Sequence, residues 1–172
     1  MSRSSIRKAI IALEEYFGGE NAPGPRADMG AVASIEDGLR CCIRSPKGGE
    51  VYTDVSRALG GTASANSPGW LARAALASCE ATGLAMRAAR LGVRLDSIEV
   101  SVEAKSDGRG LFLDQDVPSG SSDLRVKFSV TARGVPREQI QEMVDWVVAH
   151  SPVAADFKRP VPMGVELELI ER

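Results

Sequence analysis

Apolar residues recur at two different spacings along this chain, and the two spacings separate helices from strands. Between residues 4 and 17 the spacing is three to four residues, which is typical of an amphipathic helix. Its apolar positions are Ile6, Ile10, Leu13 and Phe17. Gly18-Gly19 ends this pattern, and the segment up to Gly30 is rich in proline and glycine. We therefore predict an N-terminal helix and linker over residues 1–30 and a folded domain over residues 31–172.

Alternation of apolar and polar residues predicts the strands of that domain. It occurs over residues 32–44 and 51–58, with a hairpin turn at Asp37-Gly38, and indicates a short antiparallel meander. Further alternating segments are 98–105, 124–130 and, as a last strand, 163–169. Helical spacing returns over residues 68–91 and between Pro136 and Pro152. The order of elements favours an α+β fold, with an antiparallel sheet packed on a long central helix.

The long helix is the most distinctive prediction. Ser67 suits its N-cap, Pro68 its first turn and Gly92 its end. Most of its surface is apolar or small, which is typical of a buried helix whose backbone a neighbour approaches closely. We expect this neighbour to be a second helix, either from this chain or from another copy of the chain.

Cys79 lies on one of the apolar faces of this helix. The residues that share that face are Leu76, Gly83 and Met86, whereas the charged stripe consists of Arg73, Glu80 and Arg87. The spacing therefore predicts packed surroundings for the thiol, away from the charged stripe. A structural role as a small buried hydrophobe and a role as a nucleophile are both open.

Composition excludes several classes of function. A formal charge of −2 gives no basic surface for nucleic acid, and the apolar runs are too short to span a membrane. The N-terminus lacks the pattern of a signal peptide, so we expect a cytoplasmic protein. Three cysteines and one histidine, without metal-ligand spacing, predict neither a metal site nor a disulfide framework.

Two smaller features have more than one interpretation. Arg87, Arg90 and Arg94 recur near the end of the long helix, where they either bind an anion or form a solvated face that complements the helix C-terminus. His150 is interpreted as capping the end of its helix.

Two motifs resemble those of the OsmC/Ohr family. The segment from Ser67 to Leu71, followed by Ala75 to Cys79, is similar to the family's N-P-E-x-L and A-x-A-[SA]-C motifs at the family's spacing. His150-Ser151-Pro152-Val153 is similar to its C-P-[VY]-S segment. The likeness covers residues 32–172. It implies an OsmC-like fold and an intertwined homodimer with pockets at the interface.

The resemblance also implies a chemistry. In the family, a first cysteine attacks an organic hydroperoxide, a second resolves the sulfenic acid, and an arginine and a glutamate tune the reactive thiol. Cys79 stands at the first cysteine, whereas Ser151 stands at the resolving position and cannot form a disulfide. Gly69 replaces the glutamate, and Arg40 or Arg44 is the candidate for the arginine.

Two functions remain open from the sequence. The first is a one-cysteine, thiol-dependent reductase of organic hydroperoxides that acts in oxidative stress, needs no cofactor and is regenerated by an external thiol or dithiol. The second is a homodimer that binds a hydrophobic small molecule without turnover. Cys41 or Cys42 is either a substitute resolving thiol or inert, because alternate strand residues face opposite sides.

Overall fold

The computed structural model describes residues 2–113 and 116–170. Its helices are α1 (Arg3–Gly18), α2 (Pro68–Leu91), α3 (Arg109–Phe112), α4 (Arg137–His150) and α5 (Pro152–Lys158), with one 3-10 turn at Arg57–Leu59. Its strands are β1 (Val32–Asp37), β2 (Arg40–Arg44), β3 (Glu50–Thr53), β4 (Ser97–Ser106) and β5 (Ser121–Thr131). This arrangement confirms the predicted α+β class.

Helix α2 has the predicted bounds, and both of its ends are capped as the sequence indicates. The Trp70 backbone N–H donates to the Ser67 side chain at 3.2 Å, which satisfies one of the free amides of the first turn. Gly92 adopts a left-handed conformation (φ 72°) and closes the other end. Strand β4 and helices α1, α4 and α5 all contact α2.

The core lies where α2, α4 and the β4–β5 hairpin meet. Strands β4 and β5 pair antiparallel, with Ile98 opposite Val130 and Val100 opposite Phe128. Alternate residues of β4 are partly buried and the others are exposed, as expected for a strand with one covered face. The buried core cluster consists of Leu84, Ala88, Met143 and Val147. The spacing of apolar residues in the sequence therefore correctly predicts which faces of these helices and strands point to the core.

Strands β1, β2 and β3 form the predicted antiparallel meander as a separate three-stranded sheet. Within the described residues, this sheet makes few contacts with the helices or with β4 and β5. A loop over residues 54–67 connects it to α2, and the Arg40 side chain donates to Ser64 of that loop at 2.8 Å. The meander is thus held to the body of the chain mainly through this loop.

The predicted last strand is wrong for the single chain. Residues 160–170 form neither helix nor strand, and Met163, Val165, Leu167 and Leu169 are each at least 80% exposed. A strand requires a neighbour that satisfies its backbone groups, and no described strand lies beside this segment. A further difference from the prediction is helix α5, which begins at Pro152. Proline ends α4 but is also suited to the first turn of a new helix.

The described part of the chain contains no helix that is both long enough and apolar enough to span a bilayer.

Asp54 organises the loop that leads from the meander to α2. Its carboxylate is 2% exposed and accepts hydrogen bonds from the Thr62 hydroxyl at 2.6 Å and from the Ser64 backbone N–H at 2.9 Å. These donors hold the pKa of the Asp54 carboxyl well below its usual range, because they favour the ionised form.

We therefore predict that the stability contributed by Asp54 depends on pH. The folded-state pKa is lowered, so the contribution is complete above the unfolded-state pKa of about 4 and is lost as the pH falls towards the folded-state pKa. Asp54→Asn should lower the urea midpoint at pH 7, and the difference from wild type should shrink below pH 4. Asp28→Asn, in the exposed linker, is the control. An equal effect of the two variants at pH 7 would contradict this role.

Candidate functional site

A mainly apolar pocket of about 450 Å³ lies between α1, α2, α4 and the start of α5. Its lining residues are Ile10, Glu14, Ser78, Cys79, Thr82, Gly83, Met86, Arg87, Arg90, Trp146, Val147, His150, Ser151 and Pro152. The volume is in the range of small-molecule sites. The pocket brings together both motifs that resemble the OsmC/Ohr family.

The thiol of Cys79 and the hydroxyl of Ser151 meet in this pocket, with Sγ and Oγ 3.4 Å apart. Ser151 is 6% exposed, and its oxygen already accepts the Ala154 backbone N–H at 3.2 Å as the N-cap of α5. The hydroxyl proton is thus available to the sulfur. Ser151 can therefore act as the donor of this contact, with the Cys79 sulfur as the acceptor.

Gly83 allows α4 to lie close to α2 beside the thiol. A side-chain carbon at this position would meet Cγ1 of Val147 at 2.9 Å, which is closer than packed atoms approach. Gly83 follows Cys79 by one helical turn, and both residues line the pocket. The glycine therefore serves both the helix contact and the pocket.

Arg87, Trp146 and His150 form a cluster at the wall of the pocket. The Arg87 guanidinium lies over the Trp146 ring, with its carbon 4.4 Å from the ring centroid, and the His150 ring stacks on Trp146 at 4.1 Å. His150 Nδ1 lies 2.7 Å from the Trp146 carbonyl, which can only accept, so Nδ1 carries a proton. This contact agrees with the predicted helix-end role of His150.

The predicted separation of Cys79 from the charged stripe is wrong. Arg87 belongs to that stripe, yet it lines the same pocket as Cys79. The signal in the sequence is the spacing of Cys79, Gly83 and Arg87, two successive steps of four residues with glycine in the middle. A long side chain on a helix points back towards the N-terminus, which brings Arg87 towards the part of α2 that carries Gly83 and Cys79.

Helix α1 forms one wall of the pocket through Ile10 and Glu14. The Glu14 carboxylate pairs with the Arg90 guanidinium at 2.7 Å, and the Arg3 side chain donates to the Leu95 carbonyl at 3.4 Å. None of the residues of α1 is buried. The N-terminal helix predicted as a separate unit thus contributes to the site, and it packs against α2.

Arg40 and Arg44, the predicted thiolate partners, do not line the pocket. Both lie on β2, where Arg44 pairs with Glu50 at 3.2 Å and with Glu36 at 3.5 Å. Arg40 approaches Glu36 at 3.8 Å. Within a single chain these guanidinium groups are occupied on the meander, and their proposed contact with Cys79 stays a prediction.

Cys41 and Cys42 also lie on β2 and outside the pocket. Cys42 is completely buried and Cys41 half-buried, in agreement with the expected opposite orientations. Burial raises the pKa of the Cys42 thiol, which makes it a poorer nucleophile. The hydrogen bond to Glu50 raises the pKa of the neighbouring Tyr52 to about 12. A resolving role for either cysteine would require a second copy of the chain or a rearrangement.

Glu80 is a buried acid that the motif comparison overlooks. It lies on α2 next to Cys79 in sequence and is 1% exposed, and its Oε2 has no hydrogen-bond partner among the described residues. Gly69 stands where the family motif has glutamate. A side-chain carbon at this position would lie 3.7 Å from Nη1 of Arg73. The chain thus lacks the motif acid but contains another carboxylate on the same helix.

Comparison with known proteins identifies the family. The family model described as OsmC-like protein matches residues 61–166, which include α2, Cys79 and Ser151. The chain belongs to the OsmC-like family. A search of curated protein sequences found no match.

Solved OsmC-like structures show the same fold at low sequence identity. An OsmC-like protein from Mycoplasma pneumoniae has a TM-score of 0.67 and 14% identity, with 78% of this chain and 89% of that chain covered. An organic hydroperoxide resistance protein from Legionella pneumophila has a TM-score of 0.57 and 17% identity, with 77% and 92% covered. Another, from Elizabethkingia anophelis, has a TM-score of 0.57 and 19% identity, with 80% and 93% covered. At these identities the likeness establishes the OsmC-like fold.

Proposed function

We propose that this OsmC-like protein is a one-cysteine, thiol-dependent reductase of organic hydroperoxides, with Cys79 as the nucleophile. The observation that carries the proposal is the position of the Cys79 sulfur, which lies in a mainly apolar pocket 3.4 Å from the Ser151 hydroxyl. Membership of the family supports it, as do structural relatives that are named organic hydroperoxide resistance proteins.

The proposed reaction starts with the Cys79 thiolate and the terminal oxygen of the hydroperoxide. A sulfur–oxygen bond forms, the peroxide bond breaks, and the alkoxide takes a proton from solvent to leave as an alcohol. Cys79 is then a sulfenic acid. Arg87 and Arg90 line the same pocket as Cys79.

An external thiol completes the cycle, because Ser151 cannot resolve the sulfenic acid. The first equivalent displaces water and forms a mixed disulfide with Cys79, and the second releases the thiol of Cys79 and leaves as a disulfide. Two thiols and one hydroperoxide thus give one alcohol, one disulfide and one water.

The proposed activity predicts peroxide consumption that depends on Cys79. Wild-type protein with dithiothreitol or a dihydrolipoyl reductant should consume cumene hydroperoxide, and Cys79→Ser should reduce the rate to that without protein. Cys41→Ser removes a half-buried thiol outside the pocket and should leave the rate unchanged.

The proposal fails if wild-type protein consumes cumene hydroperoxide no faster than Cys79→Ser does. In that case the second function, binding without turnover, is the better account of the pocket.

We also propose that two copies of the chain form an intertwined homodimer, in which residues 163–169 pair as a strand with the other copy. The alternating apolar side chains of this segment are almost fully exposed in one chain. Among the described residues the β4–β5 sheet has two strands, and such a sheet has open edges and is marginally stable by itself. The exposed Ile35 and Val51 on the meander offer further apolar surface.

The dimer predicts a mass of twice the 18.2 kDa chain in sedimentation equilibrium. Leu167→Lys should weaken association at least about tenfold, since burying a leucine contributes about 1.5–3 kcal/mol. Glu168→Lys is the matched control, because neighbouring strand residues face opposite sides. A monomeric wild type, or equal association of both variants, would contradict the proposed pairing.

A further inference from the structure

Arg87 is the most unusual polar group in the pocket. Among the described residues, its buried Nε has no hydrogen-bond partner, and no carboxylate forms an ion pair with the guanidinium. A guanidinium carries five N–H donors, and a buried donor without an acceptor costs about 1–3 kcal/mol. An acceptor that the single chain does not supply would therefore stabilise this arrangement.

The guanidinium is held in place although no described residue accepts a hydrogen bond from its Nε. Its contact with the Trp146 ring fixes its plane, and the stacked His150 supports Trp146 from within α4. A fixed, planar guanidinium is suited to a two-point contact with a carboxylate. The other cation of the pocket, Arg90, already pairs with Glu14, so Arg87 is the cation available to a ligand.

We propose that Arg87 forms an anion subsite in the pocket, and that the ligand is an apolar molecule with one carboxylate. The carboxylate pairs with Arg87, and the apolar body lies along Met86, Val147 and Ile10 towards Cys79. This assignment rests on the same pocket as the proposed reductase and specifies its ligand class. It does not depend on turnover.

Glu80 is the competing explanation for Arg87. It is a buried carboxylate with an unpartnered oxygen, two helical turns before Arg87 on the same stripe. It does not line the pocket, and the two groups are not within ion-pair distance. If Arg87 served only as the counter-ion of Glu80, replacing it would affect stability but not the choice among ligands.

The test compares three ligands with one tail and different head groups, namely octanoate, 1-octanol and octylammonium, by isothermal titration calorimetry on the full chain. Wild type should bind octanoate at least about tenfold more tightly than 1-octanol, a difference of about 1.4 kcal/mol, and octylammonium most weakly. Arg87→Gln should remove the preference for octanoate and retain the affinity for 1-octanol.

Two further variants make the result specific. Arg94→Gln removes an exposed guanidinium that pairs with Asp96 outside the pocket, and it should leave the preference unchanged. Arg87→Lys keeps the charge but cannot make the two-point contact, so it should give an intermediate preference for octanoate. This variant also provides the test if Arg87→Gln does not fold.

Wild-type protein that binds 1-octanol as tightly as octanoate would overturn the assignment. An Arg87→Gln variant that keeps the octanoate preference while its urea midpoint falls would also overturn it. That outcome would mean that Arg87 serves as the counter-ion of Glu80. Cumene hydroperoxide has no carboxylate, so a failure of its turnover bears on the reductase alone, whereas the head-group series bears on the subsite alone.

Discussion

The close approach of α4 to α2 at Gly83 is the contact on which the site depends. With no side chain at this position, Val147 packs directly against the helix that carries Cys79. This contact brings the end of α4 to the thiol, and Ser151 follows at the junction with α5. A side chain at residue 83 would have to displace Val147, which would move α4 away from α2 and carry Ser151 away from the sulfur.

The same contact explains why two distant motifs act together. Cys79 and Ser151 are 72 residues apart in sequence, and neither motif alone forms a pocket. Helix α1 then covers the side of α2 that α4 leaves open, mainly through Ile10 and the ion pair of Glu14 with Arg90. Exposed ion pairs of this kind contribute at most about 1 kcal/mol, so the packing of α1 on α2 also holds this wall in place.

Much of this arrangement is predictable from the sequence because local signals are strong. Ser67, Pro68 and Gly92 fix the bounds of α2, and alternation fixes β4 and β5. The family motifs place Cys79 and Ser151 at one site.

The remainder depends on contacts that a single sequence does not encode locally. Arg87 lines the pocket together with Cys79, whereas helical periodicity alone assigns it to another stripe. Residues 163–169 have the pattern of a strand but lack a neighbour within one chain. The proposed second copy of the chain would supply this neighbouring strand. It would also give Arg40 and Arg44, on the exposed meander, a second chain to contact.

The most direct measurement of the central claim, that Cys79 reacts with a hydroperoxide beside residue 151, uses the variant Ser151→Cys. With one equivalent of cumene hydroperoxide and no reductant, peptide mapping by mass spectrometry should show a disulfide between Cys79 and the introduced cysteine within one chain. Wild-type protein treated identically should lack that crosslink and carry oxidised Cys79. If both thiols of the variant remain reduced, or if Cys79 is oxidised without the crosslink, the account of this site is wrong.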